Sequence, residues 1–333
     1  MSATATASRR VATAPGIEIE VHEAGRRGDP VVVLAHGFPE TSHSWRHQVG
    51  PLVDAGFHVL VPDQRGYGRS SAPREVAAYG VEQLTGDLVA LIDDAGADQA
   101  VFVGHDWGAL LVWHMGQLHP ERCRAIVAAS VPHTPWPAPP TELFRAMHGE
   151  NFFYMLYFQE VGPAEAELEA DVRRTMHTIL WAGSGELHRD DPVEPLPAAG
   201  TGFLDAMLHR AGEIPDGLPA WLTEADLDAY VDAFTASGFF GPVSWYRNLD
   251  ANFERTKDID ASAFTLPTRS VPTFFIGGTH DAVIAGRPEY VTAMDDVLPD
   301  HRGSVLIDGA GHWTQQEAPE AFNEALVGFV RSL

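Results

Sequence analysis

Four short apolar runs constrain this chain more than any other feature: VVVLA at 31–35, FHVLVPD at 57–63, AVFVG at 100–104 and AIVAASV at 125–131. They are nearly continuous rather than alternating, as a strand must be when both of its faces are covered. Helix-like stretches separate them, so the pattern is βαβ and the class is α/β, a mostly parallel central sheet with helices on both faces. An earlier run, GIEIEVHEA at 16–24, alternates apolar with polar and predicts a half-exposed antiparallel edge strand. Residues 1–15 carry no such pattern and read as a flexible tail.

After Val131 the pattern breaks at PHTPWPAPP, where five prolines in nine residues continue neither strand nor helix. From there to 249 the sequence reads as helices and loops, with Thr223-Glu224-Ala225-Asp226 a capping-box-like start ahead of LDAYVDAF. Strand signals return at PTFFIGG (272–278) and SVLID (304–308), followed by the closing helical segment EAFNEALVGFVRSL. This organisation implies a core of residues 16–135 and 250–333 interrupted by a helical cap, 136–249. Within the cap, the Gly- and Pro-rich stretch 183–220 implies no particular structure.

Charge narrows the function classes. With 22 Lys+Arg against 46 Asp+Glu the chain carries a formal net charge of −24, which repels phosphate backbones and anionic headgroups and disfavours nucleic-acid and membrane partners. The one cysteine, Cys123, excludes an internal disulfide and a multi-cysteine metal site. No apolar run approaches the ~20 residues of a membrane span, and the N-terminus lacks the apolar segment of a secretory signal. The expectation is a cytoplasmic protein, monomer or homodimer, with no metal and no cofactor.

The residues that carry chemistry sit at strand ends. Gly104-His105-Asp106-Trp107-Gly108 follows the run VFV and precedes an amphipathic helix. It has the G-x-Nu-x-G form of a nucleophile elbow, with aspartate where a hydrolase of the serine type has serine. The small residues suit a tight strand-to-helix turn. A carboxylate needs no base to act as a nucleophile at neutral pH and can attack an sp³ carbon directly. The resulting ester must then be hydrolysed, which calls for an activated water. His312, in GAGHW after SVLID, is the candidate base. Of the other histidines, His105 reads as a sheet-top packing residue. Asp281, beyond the end of PTFFIGG, is placed to orient His312, and Asp63 reads as a turn residue. His36-Gly37-Phe38-Pro39-Glu40 has the form of an oxyanion loop, in which the N–H groups of Phe38 and Trp107 hold a developing oxyanion. A cis Phe38-Pro39 bond is expected there.

These segments together resemble an epoxide hydrolase of the α/β-hydrolase fold. The resemblance runs from about residue 16 to 325 and is carried by HGFPE, PDQRGYGRS, VGHDWGA, FYMLYFQEVGPAEAELE, GPVSWYRNLDANFE and GAGHWTQQEAP. It implies Asp106 as nucleophile, His312 as base and Asp281 as its partner. It also implies that two cap tyrosines, Tyr154 and Tyr246, point their hydroxyls at the epoxide oxygen, with Tyr157 the alternative to Tyr154. The N-terminal phosphatase domain fused to some family members has no counterpart, so no phosphatase activity is implied.

Haloalkane and haloacid dehalogenases share the aspartate elbow, but have no use for a pair of alkoxide-donating tyrosines. A non-catalytic receptor on the same scaffold would predict erosion of the set, and none of its members is missing. The groups expected to meet the ligand are one carboxylate, two neutral phenols and the apolar rings of Phe38 and Trp107, which fits a small, uncharged, mostly apolar epoxide.

Overall fold

Residues that bury both faces occupy the centre of the sheet, and those that bury one lie toward its edge. The computed structural model describes residues 7–189 and 193–333. Its main sheet contains β1 (Ala7–Ala14), β2 (Ile17–Ala24), β3 (Val31–Ala35), β4 (His58–Pro62), β5 (Ala100–His105), β6 (Cys123–Ala129), β7 (Thr273–Gly278) and β8 (His301–Ile307). The spatial order is β1-β2-β4-β3-β5-β6-β7-β8. The β1–β2 and β2–β4 pairs are antiparallel and the rest are parallel.

Alternate residues of each central strand feed two apolar clusters. Val33, Leu60, Phe102 and Ile126 pack on one face with Leu88 of α1 (Val81–Asp94) and Val112 of α2 (Trp107–Leu118). Val32, Leu34, Val103 and Val127 pack on the other with Leu52, Phe322 and Phe329. This division is why the central runs are apolar throughout: every position, not every second one, leaves water on folding.

The reading of residues 1–15 as a tail is corrected. Residues 7–14 form the edge strand, which moves 17–24 one place inward; residues 1–6 lie outside the described part. Only Val11 of β1 is buried, so no local hydrophobic pattern marks it. What holds β1 is its ladder to β2, with Arg9 pairing to Glu23 at 2.7 Å and also to Asp94.

Between β6 and β7 the described residues are mostly helical, comprising α3 (Pro140–His148), α4 (Tyr154–Tyr157), α5 (Pro163–Glu169), α6 (Val172–Ala182), α7 (Phe203–Ala211), α8 (Glu224–Ser237), α9 (Phe240–Arg247) and α10 (Leu249–Thr256), followed by a small hairpin of Thr265–Leu266 with Arg269–Ser270. Helix α7 falls within the stretch 183–220, and α10 straddles the boundary expected between 249 and 250. Thr223 caps α8, accepting from the Asp226 N–H at 3.2 Å while the Asp226 carboxylate accepts from the Thr223 N–H at 3.0 Å. The chain closes with α11 (Pro319–Arg331). The loops that follow β3, β5, β7 and β8 leave the same carboxyl edge of the parallel strands, where doubly covered sheets place their sites.

Candidate active site

Asp106 stands at the turn from β5 into α2 with φ +52° and ψ −116°, a conformation that costs a non-glycine residue on the order of 1–3 kcal/mol. The two flanking glycines make the turn feasible. A Cβ on Gly104 would lie 2.0 Å from the carbonyl oxygen of Gly108, and one on Gly108 would lie 2.1 Å from that of Ala35. Both obstacles are backbone and cannot swing aside. Gly108→Ala is therefore expected to destabilise the protein by about 2–4 kcal/mol, read as a lowered urea midpoint with an unchanged slope.

The loop after β3 comes up against this turn. Its Phe38-Pro39 bond is cis, and the Phe38 N–H donates to Asp106 Oδ1 at 2.8 Å. Of the two amides expected to line an oxyanion hole, this is the one bonded to the carboxylate; Trp107 opens α2 and presents its indole to Tyr246 with ring centroids 4.9 Å apart.

The structure brings His312 and Asp281 together with Asp106. His312 Nδ1 lies 3.1 Å from Asp281 Oδ2, and its Nε2 lies 3.6 Å from Asp106 Oδ2. Burial works against a charged imidazole. The charge of Asp281, its hydrogen bond to the ring and the nearby charge of Asp106 outweigh it and hold the His312 pKa well above its ordinary value. Burial likewise opposes ionisation of Asp281, but the charge and hydrogen bond of His312, with the Val283 N–H at 2.9 Å, keep its pKa below the usual range.

Tyr154 opens α4 and Tyr246 lies in the last turn of α9, and their rings sit 5.8 Å apart. Burial first, then the charge of Asp106, pushes both phenols well up, so each keeps its proton. Tyr157, the alternative, spends its hydroxyl on Glu167 at 2.8 Å. Phe38 contacts Phe158, Phe203 and Tyr246 edge-on, which makes the surroundings of the two phenols aromatic. Among the described residues, no group of three His, Cys, Asp or Glu is arranged to hold a metal ion and no helix is long and apolar enough to cross a membrane.

Comparison with known proteins bears on this arrangement. The family model described as alpha/beta hydrolase fold matches residues 30–168. Epoxide hydrolase A of Mycobacterium tuberculosis is 46% identical over 330 residues, covering 98% of each chain. The chain belongs to the epoxide hydrolase family. Bifunctional epoxide hydrolase 2 of Sus scrofa is 36% identical over 96% of this chain and 54% of its own length. Among solved structures, Epoxide Hydrolase A from Mycobacterium thermoresistibile superposes with a TM-score of 0.88 at 46% identity, covering 99% of both chains. An epoxide hydrolase from an endophytic Streptomyces gives 0.85 at 33% identity, with 100% of this chain and 96% of that one covered.

In this epoxide hydrolase, one pair beside the site was missed by sequence reasoning. His105 is not a packing residue. Its Nδ1 donates to Glu40 Oε2 at 2.6 Å and its Nε2 donates to the His312 carbonyl at 2.7 Å, with both side chains fully buried. Both ring nitrogens face acceptors, so the ring uses two N–H donors. Burial alone would raise the Glu40 pKa; the charge and hydrogen bond of His105, with the Gly37 N–H, hold it at about 2. Glu40 Oε1 further accepts from the side-chain amides of Gln315 at 2.8 Å and Gln316 at 3.1 Å. One buried ion pair thus ties the loop after β3, the elbow and the His312 loop. No sequence spacing announces it, because its members are 65 residues apart.

Proposed function

We propose that this chain adds water to a small, uncharged, mostly apolar epoxide to give a vicinal diol, through an ester on Asp106. The observation that carries this reading is the pair of protonated tyrosines, Tyr154 and Tyr246, brought down from the cap to within the electrostatic reach of the Asp106 carboxylate. An opening epoxide develops alkoxide, and two phenols in an apolar surrounding supply the donors it needs.

Oδ1 of Asp106 already accepts the Phe38 N–H, so Oδ2 is the oxygen that attacks carbon and Oδ1 is left as the ester carbonyl. The alkoxide takes a proton from a tyrosine, which His312 restores. Once Asp106 is an ester, one of the two negative charges that kept His312 protonated has gone, and the imidazole becomes a base. It then removes a proton from water as the oxygen adds to the ester carbon. The Phe38 N–H stabilises the tetrahedral oxyanion, and collapse releases the diol and the Asp106 carboxylate. His312 ends protonated, as it began, and the net change is one water added to one epoxide.

A dehalogenase would use the same elbow without the two phenols. In Tyr154→Phe combined with Tyr246→Phe, diol formation from styrene oxide is expected to fall by about 10³-fold or more in a folded protein, measured as kcat/KM. Turnover at the wild-type rate would overturn the epoxide reading, and haloalkane turnover left intact by the double substitution would replace it with the dehalogenase one.

A further inference from the structure

The loop that carries His312 is stitched to the cap, and the stitch is centred on a carboxylate that touches no member of the proposed catalytic set. Glu317 lies at the end of the short helix Thr314–Glu317. Its Oε2 accepts from the Gly311 N–H at 3.0 Å and from the Gly185 N–H at 2.9 Å, and its Oε1 accepts from the Trp313 N–H at 3.0 Å. Gly311 and Trp313 flank His312 on either side. Gly185 belongs to the cap, just beyond the end of α6. Two more bonds cross the same seam: the His312 N–H donates to the Gly183 carbonyl at 2.8 Å, and the Trp313 indole donates to the Leu180 carbonyl at 2.8 Å. The backbones are in contact there, since a Cβ on Gly311 would lie 2.2 Å from the Gly185 nitrogen.

The partners of Glu317 are three backbone N–H donors and, at 3.5 Å, the Ser184 hydroxyl, all of which donate to it. A carboxylate satisfies all of them because it offers only acceptors, whereas an isosteric amide would turn an NH₂ toward at least one N–H. Tyr154 and Tyr246 belong to other elements of the cap and take no part in this seam.

We propose that Glu317, with the Trp313 indole, is a positioning element that makes the placement of His312 depend on the docking of cap residues 183–185 against the core. The proposal rests on the reading of His312 as the base for ester hydrolysis. It assigns Glu317 to that second step alone, because its bonds go to the residues around His312 and not to Asp106, Phe38 or the tyrosines.

The test separates the two steps by rapid mixing with styrene oxide, acid quench and intact-protein mass. In Glu317→Gln the rate of ester formation should stay within about threefold of wild type while ester hydrolysis slows by about 10- to 100-fold, the scale expected for a misplaced catalytic group. The ester then accumulates in the steady state. Trp313→Phe, which removes the indole bond to Leu180 and leaves the three backbone N–H donors to Glu317 in place, should shift the same ratio in the same direction by about threefold or more, and it carries the test if Glu317→Gln does not fold. Equal slowing of both steps in a folded variant, or unchanged hydrolysis, overturns the proposal. If the wild-type protein itself forms no adduct with the mass of the epoxide, the covalent reading of the function fails instead, which is a different result.

Discussion

Asp106→Asn is expected to reduce diol formation by about 10⁴-fold or more while leaving the fold intact. The substitution keeps the shape and the Oδ1 acceptor for the Phe38 N–H, which lies at 2.8 Å in the native protein, so the loop after β3 retains its anchor. It removes the oxygen that attacks carbon and replaces it with an amide nitrogen that does not. The thermal midpoint should therefore stay close to wild type, and the protein mass after mixing with epoxide should remain that of the free chain. The same experiment on the wild-type protein supplies the complement. In a single turnover in ¹⁸O-labelled water, label should enter the Asp106 peptide and not the diol, since the diol takes its new oxygen from the carboxylate and water replaces that oxygen afterwards. Label found directly in the diol would mean that water attacks the epoxide itself, and Asp106 would then be a stabilising charge and not a nucleophile.

The features legible in the sequence are those with a local cause. The central strands announced themselves because both faces are covered, which leaves no polar positions in VVVLA or VFV. The elbow was legible because backbone crowding at Gly104 and Gly108 is a short-range demand written into five consecutive residues. Asp281 and His312 were legible because each follows directly on a strand signal, and the topology then aligns those strand ends. Tyr154 and Tyr246 were not legible in that way. Read as residues they are aromatic core, and only the likeness of their surrounding segments to a known family singled them out. The remaining features depend on partners distant in sequence. β1 exists because β2 offers it a ladder and Glu23 and Asp94 offer Arg9 a charge. Glu40 with His105, and Glu317 with Gly185, are each a relation between segments distant in sequence that the fold brings together. A buried carboxylate is hard to infer from sequence because its cost is visible locally and its compensation is not.

His312→Gln should separate the two halves of the reaction: the ester forms and remains. Glutamine can accept or donate a hydrogen bond at that position but cannot take a proton from water, so hydrolysis should slow by about 10³-fold. The mass of the protein should rise by one equivalent of the epoxide. The His312 pKa is raised in the resting protein by Asp281 and Asp106 together. Esterification cancels the Asp106 share, so the base works at a lower pKa in the ester than in the free protein. Below that value the ring stays protonated and wild-type hydrolysis should fall about tenfold per pH unit. Acid conditions should therefore make the wild-type protein accumulate ester as the variant does. Stability moves with the same charges. A histidine whose folded pKa lies above its unfolded value contributes fully below the unfolded pKa near 6.5 and loses that contribution as pH rises through the folded value. The stability gap between wild type and His312→Gln should accordingly narrow toward alkaline pH. A gap that widened there would mean that the protonated imidazole is not what Asp281 and Asp106 hold in place.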